Sequence, residues 1–148
     1  MKRAMLLALW LTIAVPAVAQ TVSLRARNGK FTADIVLNDR LTVGALVDLG
    51  ATTTVICARM ARSLGLPRGE NSELRTVGRR LPAQQTRLAS IRLGAIELDD
   101  VEALILGDRW CDEMLLGVSV LRRLRLTMEN DTLILTLARV KPFGSIGK

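Results

Sequence analysis

The chain has 148 residues, enough for one domain with its own core, and none of them is histidine. That absence removes the usual general base, the usual zinc ligand and every Ser-His or Cys-His mechanism. The formal net charge of +7 fits a polyanionic partner only if the basic residues cluster beside aromatic ones. They do not: Arg59, Arg62, Arg75, Arg79, Arg80, Arg87 and Arg92 are scattered, and two Trp and two Phe are too few to stack on bases, so no nucleic-acid partner is expected.

The opening MKRAMLLALWLTIAVPAVAQ joins two basic residues to an apolar run over 4–15, then Pro16 and the small-residue pattern Ala17-Val18-Ala19. This is the layout of a secretory signal peptide over residues 1–19, cleaved before Gln20, and it implies a secreted or periplasmic protein. The apolar run is short for a bilayer span of about 20 residues. A retained membrane anchor is therefore the weaker alternative, and contact with a membrane is expected only in that case. Loss of Lys2 and Arg3 lowers the net charge from +7 to +5 and leaves residues 20–148 as the working domain.

Apolar and polar residues alternate in TVSLRAR (21–27) and FTADIVL (31–37), which Asn28-Gly29-Lys30 separates in the manner of a hairpin turn. Asn38-Asp39-Arg40 leads into LTVGALV (41–47), so three antiparallel strands are predicted, the third ending at Asp48. A carboxylate at the end of an apolar run is a candidate for use, because burying it unpaired costs several kcal/mol. A β-branched strand is predicted over 52–56. In CARMARSLGL, Ala58, Met60, Ala61 and Leu64 fall at helical spacing and stop at Gly65 and Pro67, which predicts one brief helix.

The polar segment GENSELRTVGRRLPAQQTRLASIRLG reads as a long hairpin with an exposed tip at Gly78-Arg79-Arg80. IELDD is expected to turn into VEALIL (101–106), a further strand, followed by a loop over 107–110. Leu115 and Leu116 belong to a short apolar strand ending at Gly117. Val118, Leu121 and Leu124 are spaced for a two-turn helix, and RLTME and TLILTL close a hairpin around Asn130-Asp131. The tail KPFGSIGK is expected to fray or to make contacts. No repeat, linker or low-complexity segment interrupts the chain, so the prediction is one mainly β domain.

Cys57 and Cys111 are most simply a disulfide in an oxidising compartment, with two separate buried thiols as the alternative. Asp99-Asp100 and Asp112-Glu113 are paired acids in expected solvated turns, with too few ligands for calcium. No metal and no cofactor are expected.

Two apolar strands thus end in glycine turns, ALVDLGAT and EMLLGVS, and each is followed by a short helix. Here the chain resembles the retropepsin-like aspartic proteases, in particular their small secreted or membrane-associated bacterial members. The likeness runs through LVDLGATTTVI, ARSLGL, LRTVG, IRLGAIELDDVEAL and LLGVSVLRRLR, most of 41–137. It implies a mainly β, single-lobe acid-protease fold with two short helices, acting as a C2 homodimer on a peptide or protein substrate.

By the same resemblance Asp48 is the catalytic residue, in an active-site loop that includes Leu49, Gly50, Ala51 and Thr52. Val77, Gly78, Arg79 and Arg80 form the flap, and Leu115, Leu116 and Gly117 form the second apolar-Gly strand. Carboxylate-driven peptide hydrolysis needs two acids sharing a proton, so one Asp48 per chain requires a second copy. The family pattern also sets Cys111, just before the second strand, near Cys57 at the start of the first helix. One residue departs from the family: Leu49 stands where it has Thr or Ser, whose hydroxyl bonds across the dimer axis. The departure keeps open an alternative, a non-catalytic periplasmic peptide-binding or interaction module descended from such a protease.

Overall fold

The computed structural model describes residues 20–76 and 78–137. The expected signal peptide, the KPFGSIGK tail and Val77 lie outside the described residues.

Alternation in the sequence becomes strand wherever one face can be buried. In β2 (Thr32–Leu37), Ala33, Ile35 and Leu37 are buried and Thr32 and Asp34 are exposed. Asn38 and Asp39 adopt left-handed backbone, φ 48° and 53°, and return the chain into β3 (Leu41–Val47), antiparallel to β2. Short polar side chains tolerate that region better than most. Next, β4 (Thr54–Cys57) is buried at every position and runs straight into α1 (Ala58–Leu64). Gly65, at φ 65°, ends the helix, its N–H bonding to the carbonyl of Arg62.

Strands β5 (Asn71–Thr76) and β6 (Arg79–Leu93) form the long hairpin, and β6 continues against β7 (Ile96–Leu106). The short β8 (Met114–Leu116) returns to the middle of the sheet and leads into α2 (Val118–Leu121). The seven strands stand in the order β2-β3-β8-β4-β7-β6-β5. Because β8 is parallel to β3 and antiparallel to β4, a segment distant in sequence is wedged beside the end of β3. Ile35, Leu37, Ile56, Leu88, Met114 and Leu116 fill the core around it.

A smaller sheet holds β1 (Thr21–Arg25), β10 (Thr132–Leu137) and β9 (Leu124–Glu129), in the order β1-β10-β9. This corrects the predicted meander of three strands, because β1 pairs with β10 and not with β2. The Asn28-Gly29 turn does form, but only Arg27 and Lys30 exchange hydrogen bonds across it. Beyond it, Val22 and Leu24 lie opposite Leu135 and Leu133, both buried, and these apolar cross-strand pairs decide the partner.

Two further expectations change. Asp99 and Asp100 lie within β7 and not in a turn between strands; Asp100 takes φ 55° while the register against β6 holds on either side of it. The second helix has one turn, since Leu124 already belongs to β9.

Candidate active site

Asp48 follows directly on β3 and is half-buried, so its carboxylate is not stranded in the core. Its backbone N–H donates to the carbonyl of Leu116 in β8 at 3.1 Å, which ties the residue to the second apolar strand. Its Oδ1 accepts the N–H of Gly50 at 2.8 Å, and the N–H of Ala51 reaches its carbonyl at 3.3 Å. The turn is tight enough that a Cβ on Gly50 would stand 3.1 Å from that same Oδ1. The second carboxylate oxygen makes no hydrogen bond among the described residues. One oxygen is thus oriented by the loop, and the other remains available to water or to a second acid.

Gly117 is what allows the loop and β8 to meet. A Cβ there would lie 2.6 Å from both the carbonyl carbon and oxygen of Thr53, and 2.8 Å from the carbonyl oxygen of Ala51. No real side chain fits such distances. The closeness is used: the N–H groups of Val118 and Ser119 donate to the carbonyls of Ala51 and Thr52, at 2.8 and 3.0 Å. Leu115 and Leu116 pair with Leu46 and Val47, so the apolar-Gly strand and the Asp48 loop are neighbours.

Two hydroxyls that the sequence reading did not single out complete this joint. Thr54 is fully buried, and its Oγ1 accepts the N–H of Gly117 at 3.2 Å. Ser119 Oγ accepts the N–H of Thr54 at 3.0 Å and lies 3.1 Å from Thr54 Oγ1. A buried donor left without a partner costs about 1–3 kcal/mol, so these bonds matter more as needs met than as attractions added. The sequence carries only a faint signal of them, a hydroxyl residue next to apolar ones, Thr54 before Val55-Ile56 and Ser119 between Val118 and Val120.

Beside the loop lies an open groove of about 870 Å³, within the size range of ligand sites. Its floor includes Gly50, Ala51, Thr52 and Thr53, and Ser72 and Leu74 of β5 line its hairpin side. The hairpin turns at Gly78, φ 78°, and Arg79 and Arg80 are exposed at the start of β6, opposite Thr76 and Arg75. On the β7 side Glu102 lines the groove and pairs with Arg87, whose guanidinium also lies 2.6 Å from Asp100.

Behind the loop, Cys57 and Cys111 form a disulfide with Cα atoms 5.3 Å apart. It fastens the start of α1 to the segment that precedes β8. Asp112 and Glu113 are exposed in that segment. Asp108 reinforces the link, accepting the N–H of Arg59 at 2.8 Å and pairing with Arg62 at 2.7 Å. Arg62 first, and then the Arg59 N–H, hold the Asp108 carboxyl below the ordinary carboxylate range.

Comparison with known proteins places this geometry. Residues 33–123, more than half of the chain, match the family described as gag-polyprotein putative aspartyl protease. Among solved structures, the chain is similar to a retropepsin-like aspartic protease from Rickettsia conorii, with a TM-score of 0.65 and 26% identity, over 81% of this chain and 92% of that one. It is also similar in fold to EIAV protease complexed with the inhibitor HBY-793, with a TM-score of 0.52 and 21% identity, over 64% of this chain and 88% of that one. A search of curated proteins finds no match. The fold is the mainly β, single-lobe retropepsin-like fold. By its matched sequence and by its fold, the chain belongs to the retropepsin-like aspartyl protease family.

Proposed function

We propose that the domain is an aspartic endopeptidase that hydrolyses peptide bonds with a water activated by two Asp48 carboxylates, one from each copy of a homodimer. The observation that carries the reading is the setting of Asp48: a half-buried carboxylate at a strand end, with one oxygen held by Gly50, in a loop whose following residues, Gly50 to Thr53, line a groove bordered by a hairpin. Two such carboxylates brought close cannot both ionise and share one proton. The ionised member takes a proton from water as that water attacks the peptide carbonyl carbon. The protonated member gives its proton to the carbonyl oxygen, producing a tetrahedral diol. Collapse of the diol breaks the C–N bond, with a proton passing to the leaving amine, and the shared proton is restored. The hairpin carrying Gly78, Arg79 and Arg80 is the flap in this reading, closing over an extended peptide and excluding water.

The buried Cys57–Cys111 bridge supports work in an oxidising compartment, in keeping with a signal peptide over residues 1–19. Intact mass of exported protein should correspond to a chain beginning at Gln20; an uncleaved mass would favour the membrane anchor.

Asp48→Asn is expected to abolish peptide hydrolysis while leaving the fold intact, as read by activity on a peptide mixture and by circular dichroism. Undiminished activity would refute the mechanism. Leu49, which brings no hydroxyl to the loop, favours a second reading, a peptide-binding module without turnover. Purified protein that binds peptides but does not cleave them would select it.

A further inference from the structure

Leu49 is the most exposed large apolar residue among those described, at 66%, although it sits between two residues that the fold holds firmly. On one side Asp48 is bonded to β8 through Leu116. On the other, the N–H groups of Gly50 and Ala51 are both engaged by Asp48. A held loop that presents leucine to solvent loses little freedom when the leucine is covered. Scattered exposed leucines are ordinary on protein surfaces; what sets Leu49 apart is its bond to the one carboxylate that the proposed chemistry must bring to a two-fold axis. Consecutive Cα atoms are about 3.8 Å apart, so when two Asp48 carboxylates share a proton, the two Leu49 residues also lie close to that axis.

We propose that Leu49 is the axial contact of the working dimer: its side chain packs against Leu49 of a second copy and joins the two Asp48 loops by apolar contact. The inference rests on the dimeric reading of Asp48 and adds the residue that seals it. Leucine has neither donor nor acceptor, so the contact works by exclusion of water and by dispersion. Such a joint is little weakened by salt, unlike one made of exposed ion pairs.

Cross-linking tests the contact directly. Among the described residues no cysteine is free, so in Leu49→Cys the new thiol is the one available for oxidation. Mild oxidation should give a covalent dimer on a non-reducing gel, because axial neighbours come within the Cα separation that a disulfide needs. Met128→Cys, at an equally exposed apolar position (62%), should not cross-link. Sedimentation of Leu49→Ala should show a dimer dissociation constant raised by about tenfold or more, and the wild-type constant should change little with salt.

Failure to cross-link, or an unchanged dissociation constant with a raised KM, would overturn the proposal; the latter would make Leu49 a substrate contact. A tighter dimer in Leu49→Thr would overturn it as well. Asp48→Asn separates this inference from the peptidase reading. Hydrolysis that depends on Asp48 without cross-linking removes the contact alone, whereas cross-linking without such hydrolysis keeps the contact and removes the peptidase.

Discussion

A single methyl group added to Gly117 would stand 2.6 Å from the Thr53 backbone, and backbone, unlike the end of a side chain, has nowhere to retreat. Gly117→Ala should therefore force β8 and the Asp48 loop apart, at about 1–3 kcal/mol, a typical cost of overpacking. The displacement passes to Asp48 through its bond to Leu116, and a shift of about 1 Å at a reacting group can cost roughly 100-fold in rate. Urea denaturation and hydrolysis rates on the same preparation measure both effects. Gly117 and Asp48 were legible because each breaks a pattern, the one as a glycine closing an apolar strand and the other as an acid closing one. Thr54 and Ser119 were not, because threonine in a β-branched run looks like strand propensity, and only the packed structure shows Gly117 N–H pointing at its hydroxyl.

Among the elements, α1 shows how a short helix borrows what its own sequence lacks. Its N-cap is Cys57, committed to a disulfide, and no side chain there caps a backbone N–H. Asp108 supplies the acceptor from 49 residues further along, binding the N–H of Arg59 and pairing with Arg62. The carboxyl is held below its ordinary range, so its contribution to stability is present above the unfolded-state value and fades as pH falls through the folded-state value. Asp108→Asn should accordingly be less stable than wild type at neutral pH, with the gap closing in strong acid. Urea midpoints for both proteins at about pH 7 and about pH 2 test this; a gap that is constant across pH would assign it to packing. Strand identity was legible wherever alternation was strong, as in β2, β3 and β10. Strand partnership was not, and β1 is the instance: alternation says that a face will be buried, but not against which neighbour. The exposed Asp99-Asp100 pair looked like a turn for a related reason, since one left-handed residue inside a strand carries the same local composition as a loop.

At the scale of the molecule, the Cys57–Cys111 bridge spans 54 residues and encloses the hairpin, but not the Asp48 loop, in a covalent loop. On the chain-entropy account a loop of that size contributes roughly 4 kcal/mol. Replacing both cysteines by alanine should lower the denaturation midpoint to match, and reducing agent should lower wild type toward the variant while leaving the variant unchanged. Family membership was legible from the ordered motifs between Leu41 and Leu137. The family match covers residues 33–123 and leaves out β1, β9 and β10; the hairpin of β9 and β10 was legible, and β1 is the strand whose expected partner needed correction.

The sheet that joins β1 to β10 also sets an order of events. Thr21 and Thr136 are neighbours across 115 residues, so nearly the whole chain must exist before the first strand has a partner. Contacts of such long range form slowly, because the chain between them must first be gathered. During synthesis, Leu24 waits uncovered until Leu133 arrives, and the smaller sheet is expected to close late. Until then a newborn chain carries β1 with an open edge, which a passing strand or a foreign protease can reach.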